Sequence, residues 1–221
     1  MKILCIAYRT WALEIYTALD KSFQDHEFII INSKKSYLKF NIYGCNPDLI
    51  LWYGWSDIID KKIIKEYYSV MLHPSSLPKY RGGSPIQNQI INGEKISAVT
   101  LFKMNEKIDQ GDIIFQKSFS LRGELQTILN KISLIGIELS KKMIINFKNL
   151  KLTKQDHNNS SFFERRNPNQ SEITLEELKN STSIELYNKI RALQDPYPNS
   201  YIKCKDGKKL YITQARIENN D

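Results

Sequence analysis

The sequence predicts an α/β fold, a doubly wound and mostly parallel sheet followed by a small α+β C-terminal subdomain. Three observations support this. Apolar runs and amphipathic stretches follow one another from the first residues in the order strand, helix, strand, strand, with short polar joints between them. The 221 residues, 41% hydrophobic and 25% charged, suffice for one core or for a main domain with a small appendage. Beyond residue 150 the composition turns polar before helix and strand signals resume. The expected division is a main domain over 1–150, a linker or crossing loop over 151–170, and the small subdomain over 171–221.

Lys2 to Ala7 is an apolar run that reads as a buried strand. Trp11, Ile15 and Leu19 then recur four apart, one face of a helix, with Leu13 and Tyr16 beside them. Phe28 to Ile31 and Leu49 to Tyr53 are the next strands. Asp60 to Tyr67 reads as a short helix and Ser69 to Leu72 as a strand, which His73-Pro74 ends because proline cannot donate to a ladder. Ser75 to Gly83 is rich in turn formers, and Ser84-Pro85 reads as an N-cap with proline in the first turn of a helix over Ile86 to Ile91. Ser97 to Met104 and Ile113 to Phe119 are strands around a polar turn. Glu124 to Phe147 is the longest helix, with a stripe of Leu125, Ile128, Leu129, Ile132, Ile135 and Leu139. After the polar stretch come a helix over Ser183 to Leu193 and two strands around Tyr201–Cys204 and Lys209–Thr213, joined by the hairpin signal Asp206-Gly207.

Several classes are excluded or disfavoured. No apolar run approaches the roughly 18 residues that span a bilayer, and the start MKILCIAYRT is too short and polar to be expected as a secretory signal. Cys5, Cys45 and Cys204 form no CxxC pair, so neither a disulfide framework nor a zinc knuckle is expected, and a cytoplasmic location is. The net charge of +8 favours anionic partners, yet the lysines cluster only as scattered doublets, and no arginine stripe with interleaved aromatics suggests a nucleic-acid module. The GxGxxG fingerprint is absent from the first turn, Tyr8-Arg9-Thr10, which argues against a dinucleotide site.

Of three histidines, His26 and His157 lie in polar, turn-like sequence and read as surface residues. His73 sits at the carboxyl end of a strand, where open α/β sheets bind ligands. The stretch around it, His73-Pro74-Ser75-Ser76-Leu77-Pro78-Lys79-Tyr80-Arg81-Gly82-Gly83-Ser84-Pro85-Ile86-Gln87, resembles the signature loop of formyltransferases that use 10-formyltetrahydrofolate. Asp109-Gln110-Gly111-Asp112 matches that family's Asp-x-Gly-Asp turn, and Arg166-Asn167-Pro168-Asn169-Gln170-Ser171 and Ile190 to Leu193 with Asp195-Pro196-Tyr197-Pro198 are also similar to it. The resemblance implies a formyltransferase Rossmann-like core, with His73 as acid or oxyanion donor and Asp109 as its carboxylate partner. The chemistry agrees: formyl transfer to an amine passes through a tetrahedral oxyanion and releases a proton, and an imidazole beside a carboxylate serves both needs near neutral pH. Without the resemblance, Asp109 would read as a turn former.

One departure falls on this site. Where the family has asparagine two residues before the histidine, this chain has Met71, whose thioether cannot donate a hydrogen bond. The amide's role would pass to His73 itself with backbone N–H groups or water, or to a neighbour such as Ser75, or the chain would be redirected to other chemistry.

For the folate, the resemblance points to Trp55, Ser56, Asp57 and Ile58 after the third strand, to Gly83, and to Asn105, Glu106, Lys107 and Ile108 before Asp109. Trp52, Tyr53 and Trp55 would wall a flat-ring slot, with core packing preferred for Trp52. No metal is expected. The short C-terminal region resembles nucleotide-sugar N-formyltransferases and lacks the basic barrel of tRNA formyltransferases, so the expected acceptor is a nucleotide-linked deoxy-amino sugar for a surface glycan such as lipopolysaccharide. Arg9, Ser75, Lys79 and Arg81 are the expected substrate contacts. Methionyl-tRNA and glycinamide ribonucleotide formyltransferases are the alternatives, and a folate- or sugar-nucleotide-binding protein without catalysis is the third. No specific nucleic acid and no membrane partner are expected, and exposed apolar residues near the C-terminus suit a homodimer.

Overall fold

The computed structural model describes residues 1–218, so the last three residues of the expected subdomain lie outside the described residues. A six-stranded sheet runs in the order Glu27–Ile31, Lys2–Ile6, Leu49–Tyr53, Ser69–His73, Ile96–Lys103, Ile113–Ser120. β1 (Lys2–Ile6), β2 (Glu27–Ile31), β3 (Leu49–Tyr53) and β4 (Ser69–His73) are mutually parallel. β6 (Ile96–Lys103) and β7 (Ile113–Ser120) add an antiparallel edge. β1 and β3 are buried because helices cover both faces, as a parallel sheet requires.

One face carries α1 (Thr10–Ser22), α5 (Pro85–Ile91) and α6 (Leu125–Ile145) over Ile3, Cys5, Leu49, Leu51, Tyr53, Val70 and Leu72. α1 buries Trp11, Ala12, Ile15, Tyr16 and Leu19, the stripe its four-residue spacing predicts. Each fully buried Ile or Leu contributes roughly 1.5–3 kcal/mol. α1 and α6 approach so closely at Gly136 that an added Cβ would lie 2.4 Å from Ile15 Cδ1. The hydroxyl of Tyr16 donates to the Leu51 carbonyl (2.7 Å) and accepts from Tyr53 N–H (2.8 Å), tying this helix to the end of β3.

The other face is covered over β1–β3 by α2 (Lys34–Lys39), α3 (Ile42–Cys45) and α4 (Lys61–Glu66). The sequence reading has no counterpart for α2 and α3. They are four to six residues long, too short for a periodic stripe, and are signalled only by their caps, Ser33 accepting from Ser36 N and Asn41 from Gly44 N. Over β4 and β6 no helix follows among the described residues. Met71, Phe102 and His73 face a loop over residues 104–112 instead, and a cleft opens there.

The segment after α6 is no free linker. Phe162–Phe163 (β8) pairs in parallel with Arg81–Gly82 (β5), binding residues 151–170 across the signature loop. Beyond it lie α7 (Leu175–Asn180), also absent from the sequence reading, α8 (Ser183–Ala192), and the hairpin of β9 (Ser200–Lys203) and β10 (Lys209–Ile212). Thr182 and Glu185 form a capping box at the start of α8. Among the described residues no helix is long and apolar enough to cross a membrane, and no group of metal-ligating side chains occurs.

Candidate active site

The cleft, about 780 Å³, lies beyond the carboxyl ends of β1, β3 and β4. Side chains two apart on a strand share a face, so Met71 and His73 both point to it, with Trp52 and Phe102 flanking Met71 in register. His73 is 4% exposed. Its Nε2 lies 2.7 Å from the Tyr80 carbonyl, which can only accept, so Nε2 carries the proton. Nδ1 is left facing Asp109 Oδ2 at 3.6 Å.

Asp109 reaches this position on the loop after β6, with φ +51, a left-handed conformation that Asp tolerates. Its Oδ2 accepts from Gly82 N–H at 2.8 Å. Two residues on, Gly111 lies so close to β6 that an added Cβ would sit 1.7 Å from the Lys103 carbonyl oxygen, so only glycine fits the turn. Tyr80 also has positive φ (+57): Phe163 stacks on its ring at 4.8 Å, its hydroxyl donates to Glu94 (2.9 Å), and its N–H donates to Ser161 Oγ (2.9 Å). Two residues beside the histidine are thus in sparsely populated conformations, a pattern that clusters at functional sites.

A residue the sequence reading missed joins these parts. Gln155, 5% exposed, donates from Nε2 to the carbonyls of Asp109 (3.0 Å) and Gly111 (2.6 Å). Its Oε1 accepts from Arg81 Nε (3.1 Å) and Nη2 (2.6 Å). A lone glutamine in a polar stretch gives no sequence signal; only the return of the chain across β5 places it.

Several expected contacts are corrected. Arg81 is buried and turned away from the cleft to Gln155 and to His157 Nδ1 (3.0 Å), and burial pushes its guanidinium below the usual range. Lys79 is exposed and does not line the cleft. Ser75 is fully buried and its hydroxyl donates to the Lys79 carbonyl (2.7 Å), so it cannot replace the missing amide. Tyr53 lies in the opposite core, bonded to Ser140, and walls no ring slot. Trp52 is fully buried, in keeping with the core packing preferred for it. Ser84 holds the N-cap position of α5 but in a left-handed conformation (φ +50), and its hydroxyl accepts from Arg166 N–H instead of capping.

The remaining expected residues line the cleft: Arg9, Trp55, Ser56, Asp57, Ile58, Gly83, and Asn105 through Ile108. Trp55 meets Tyr8 and Tyr37 edge-on, Asp57 pairs with Lys34 (2.6 Å), and Lys65 beside Glu106 holds that carboxyl below its usual range. Gly83 packs against the backbone of Arg165, where a Cβ would approach within 2.3 Å. Met71, Phe102, Ile59 and Trp55 give this end an apolar floor.

Residues 11–129 match the family model described as formyl transferase. The chain belongs to the formyl transferase family. A methionyl-tRNA formyltransferase of Ehrlichia ruminantium (strain Gardel) is 32% identical over 180 residues, 80% of this formyl transferase chain and 56% of that protein. The chain thus spans little more than half the length of that curated relative. A solved methionyl-tRNA formyltransferase from Clostridium thermocellum superposes with a TM-score of 0.88 at 29% identity, covering 100% of this chain and 95% of the other. Two further structures share the fold. A 4-N formyltransferase from Francisella tularensis has a TM-score of 0.80 at 23% identity, covering 99% of this chain and 98% of that one. HypX from Aquifex aeolicus, in complex with tetrahydrofolic acid, has a TM-score of 0.82 at 22% identity, covering 97% and 37%.

Proposed function

We propose that the protein transfers the formyl group of 10-formyltetrahydrofolate to a primary amine, and that the amine is that of methionyl-tRNA. The observation that carries formyl transfer is the buried pair of His73 and Asp109 at 3.6 Å in a cleft of this family. The identity of 32% with a methionyl-tRNA formyltransferase supports the acceptor over the nucleotide-linked sugar expected from the sequence.

The residues present suit a folate. The apolar end with Trp55, Ile59, Met71 and Phe102 matches a flat ring, and a cleft of this size holds a molecule of that class. When bound, the folate supplies an N10-formyl carbon open to attack. His73 is fixed with Nε2–H on Tyr80, so Nδ1 holds the free lone pair, takes the proton that the amine loses as its bond to the formyl carbon forms, and gives it to the departing N10 as the old C–N bond breaks. Asp109, itself held by Gly82 N–H, faces the Nδ1–H so formed at 3.6 Å. Protonated Nδ1–H is then a charge-assisted donor beside Met71, which offers none.

A nucleotide-linked amino sugar is the second reading. It is favoured by Arg9, which lines the cleft with no carboxylate partner among the described residues and suits a diphosphate. Release of tetrahydrofolate, followed with methionyl-tRNA and with a panel of nucleotide-linked amino sugars, separates the readings. Turnover on the sugars alone would overturn the tRNA assignment, and turnover on no amine would overturn formyl transfer.

A further inference from the structure

Six buried side-chain polar atoms lack a partner among the described residues, and three belong to residues of one cleft wall: Gln87 Nε2, Trp11 Nε1 and Arg166 Nε. The other three, on Trp52, Ser69 and His26, lie elsewhere. Gln87 is 3% and Trp11 7% exposed. A buried donor without an acceptor is costly and rare, so this grouping calls for acceptor atoms from outside the chain.

The three residues belong to adjoining parts of the wall. Gln87 stands in the first turn of α5, which packs on α8, and Arg166 N–H bonds Ser84 just before that turn. The chain leaving α8 brings Leu193 and Tyr197 to the cleft, and the Tyr197 ring lies 5.1 Å from the Arg9 guanidinium. Arg9 in turn is the N-cap of α1, two residues before Trp11, and makes no side-chain cap. Every unsatisfied atom here is an N–H donor, and Arg9 and Arg166 add positive charge. Of the acidic residues lining the cleft, Asp57, Glu106 and Asp109 face Lys34, Lys61 with Lys65, and His73; Glu164 on the crossing segment remains.

A wall of donors with net positive charge complements a group that has several oxygen acceptors and no donors. We propose that Trp11 and Gln87, with Arg9, form a phosphate-ester subsite for the acceptor substrate. This rests on reading the cleft as the place where the amine acceptor binds. The ester would be that of the terminal nucleotide of a tRNA or the diphosphate of a nucleotide-linked sugar.

The test reads binding without turnover. The chain has three tryptophans, so the indole N–H region of a ¹H–¹⁵N spectrum holds three signals, and Trp11→Phe identifies one of them. Inorganic phosphate, AMP and UDP are titrated in turn. The Trp11 signal is expected to move downfield and saturate while those of Trp52 and Trp55 stay in place. Gln87→Met is expected to weaken AMP or UDP binding at least tenfold, the loss of one hydrogen bond to a charged group. Gln87→Glu, which keeps the size and adds repulsion, should do the same, and unchanged Trp52 and Trp55 signals report intact folding. Tighter AMP binding assigns the subsite to a tRNA end, and tighter UDP binding assigns it to a nucleotide sugar. A Trp11 signal unmoved by millimolar concentrations of all three, or equal binding by the Gln87 variants, overturns the subsite even if formyl transfer is observed. Conversely, saturable phosphate binding in a protein that formylates no amine leaves the subsite standing and removes only the catalytic reading.

Discussion

Gln155→Met removes the amide while keeping nearly the same length of side chain. Four hydrogen bonds disappear: two to the carbonyls of Asp109 and Gly111, and two from the Arg81 guanidinium. Two neutral bonds at about 1 kcal/mol each and a charge-assisted pair at about 2 kcal/mol sum to about 4 kcal/mol. Arg81 is left buried with His157 as its remaining side-chain partner, which adds to the cost. For a chain of this size, Tm falls by roughly 2–4 °C per kcal/mol, so the expected drop is about 8–16 °C, read by circular dichroism. Turnover should fall further than the folded fraction does, because the Asp109 turn loses the side chain that anchors its carbonyl. A loss below about 3 °C with unchanged turnover would refute the claim that Gln155 holds the signature loop to this turn.

His73→Asn should lower turnover by about 10²–10⁴ while leaving the urea midpoint nearly unchanged, and a variant keeping half the activity would remove the imidazole from the chemistry. Met71→Asn restores an amide on the same face as His73; single-turnover transfer should change by less than about tenfold, and a gain near a hundredfold would show that the missing donor limits the enzyme. Stability should fall at alkaline pH, because burial raises the pKa of Cys5, Tyr16 and Tyr53 in the folded state. The stabilisation from keeping these groups neutral is fully present below pH 9. Above about pH 9–10 it is lost at up to about 1.4 kcal/mol per pH unit for each group as the unfolded chain ionises. A urea midpoint flat from pH 8 to 11 would contradict this.

The main sheet was legible because β1, β3 and β4 are apolar runs and α1 repeats every four residues. Register made Met71 legible too: two residues before His73, it had to share the same face. Arg81 was not legible, since a charged residue within a signature loop points to substrate or to protein depending on where a segment 74 residues later returns. Gln87 stood in the quoted motif, but nothing in the sequence shows that its amide lacks a partner. Ser84 illustrates a different limit. Its Ser-Pro pattern fits an N-cap, yet its backbone is left-handed and its hydroxyl is taken by Arg166 N–H, a partner 82 residues away that local pattern does not reveal.

The pairing of β5 with β8 bears on where the gene can be divided. Residues 11–129 contain His73, Asp109 and the whole of the sheet from β2 to β7, and so resemble a portable catalytic cassette. They lack Gln155, the Ser161 and Phe163 that hold Tyr80, and the Arg165 backbone that Gly83 packs against. A chimera joined at residue 150 would import those partners from another parent, and its histidine would be oriented by a stranger's loop. Recombination within this family should therefore tolerate junctions past residue 173, where the chain has finished crossing, far better than junctions in the polar stretch that looks most like a seam.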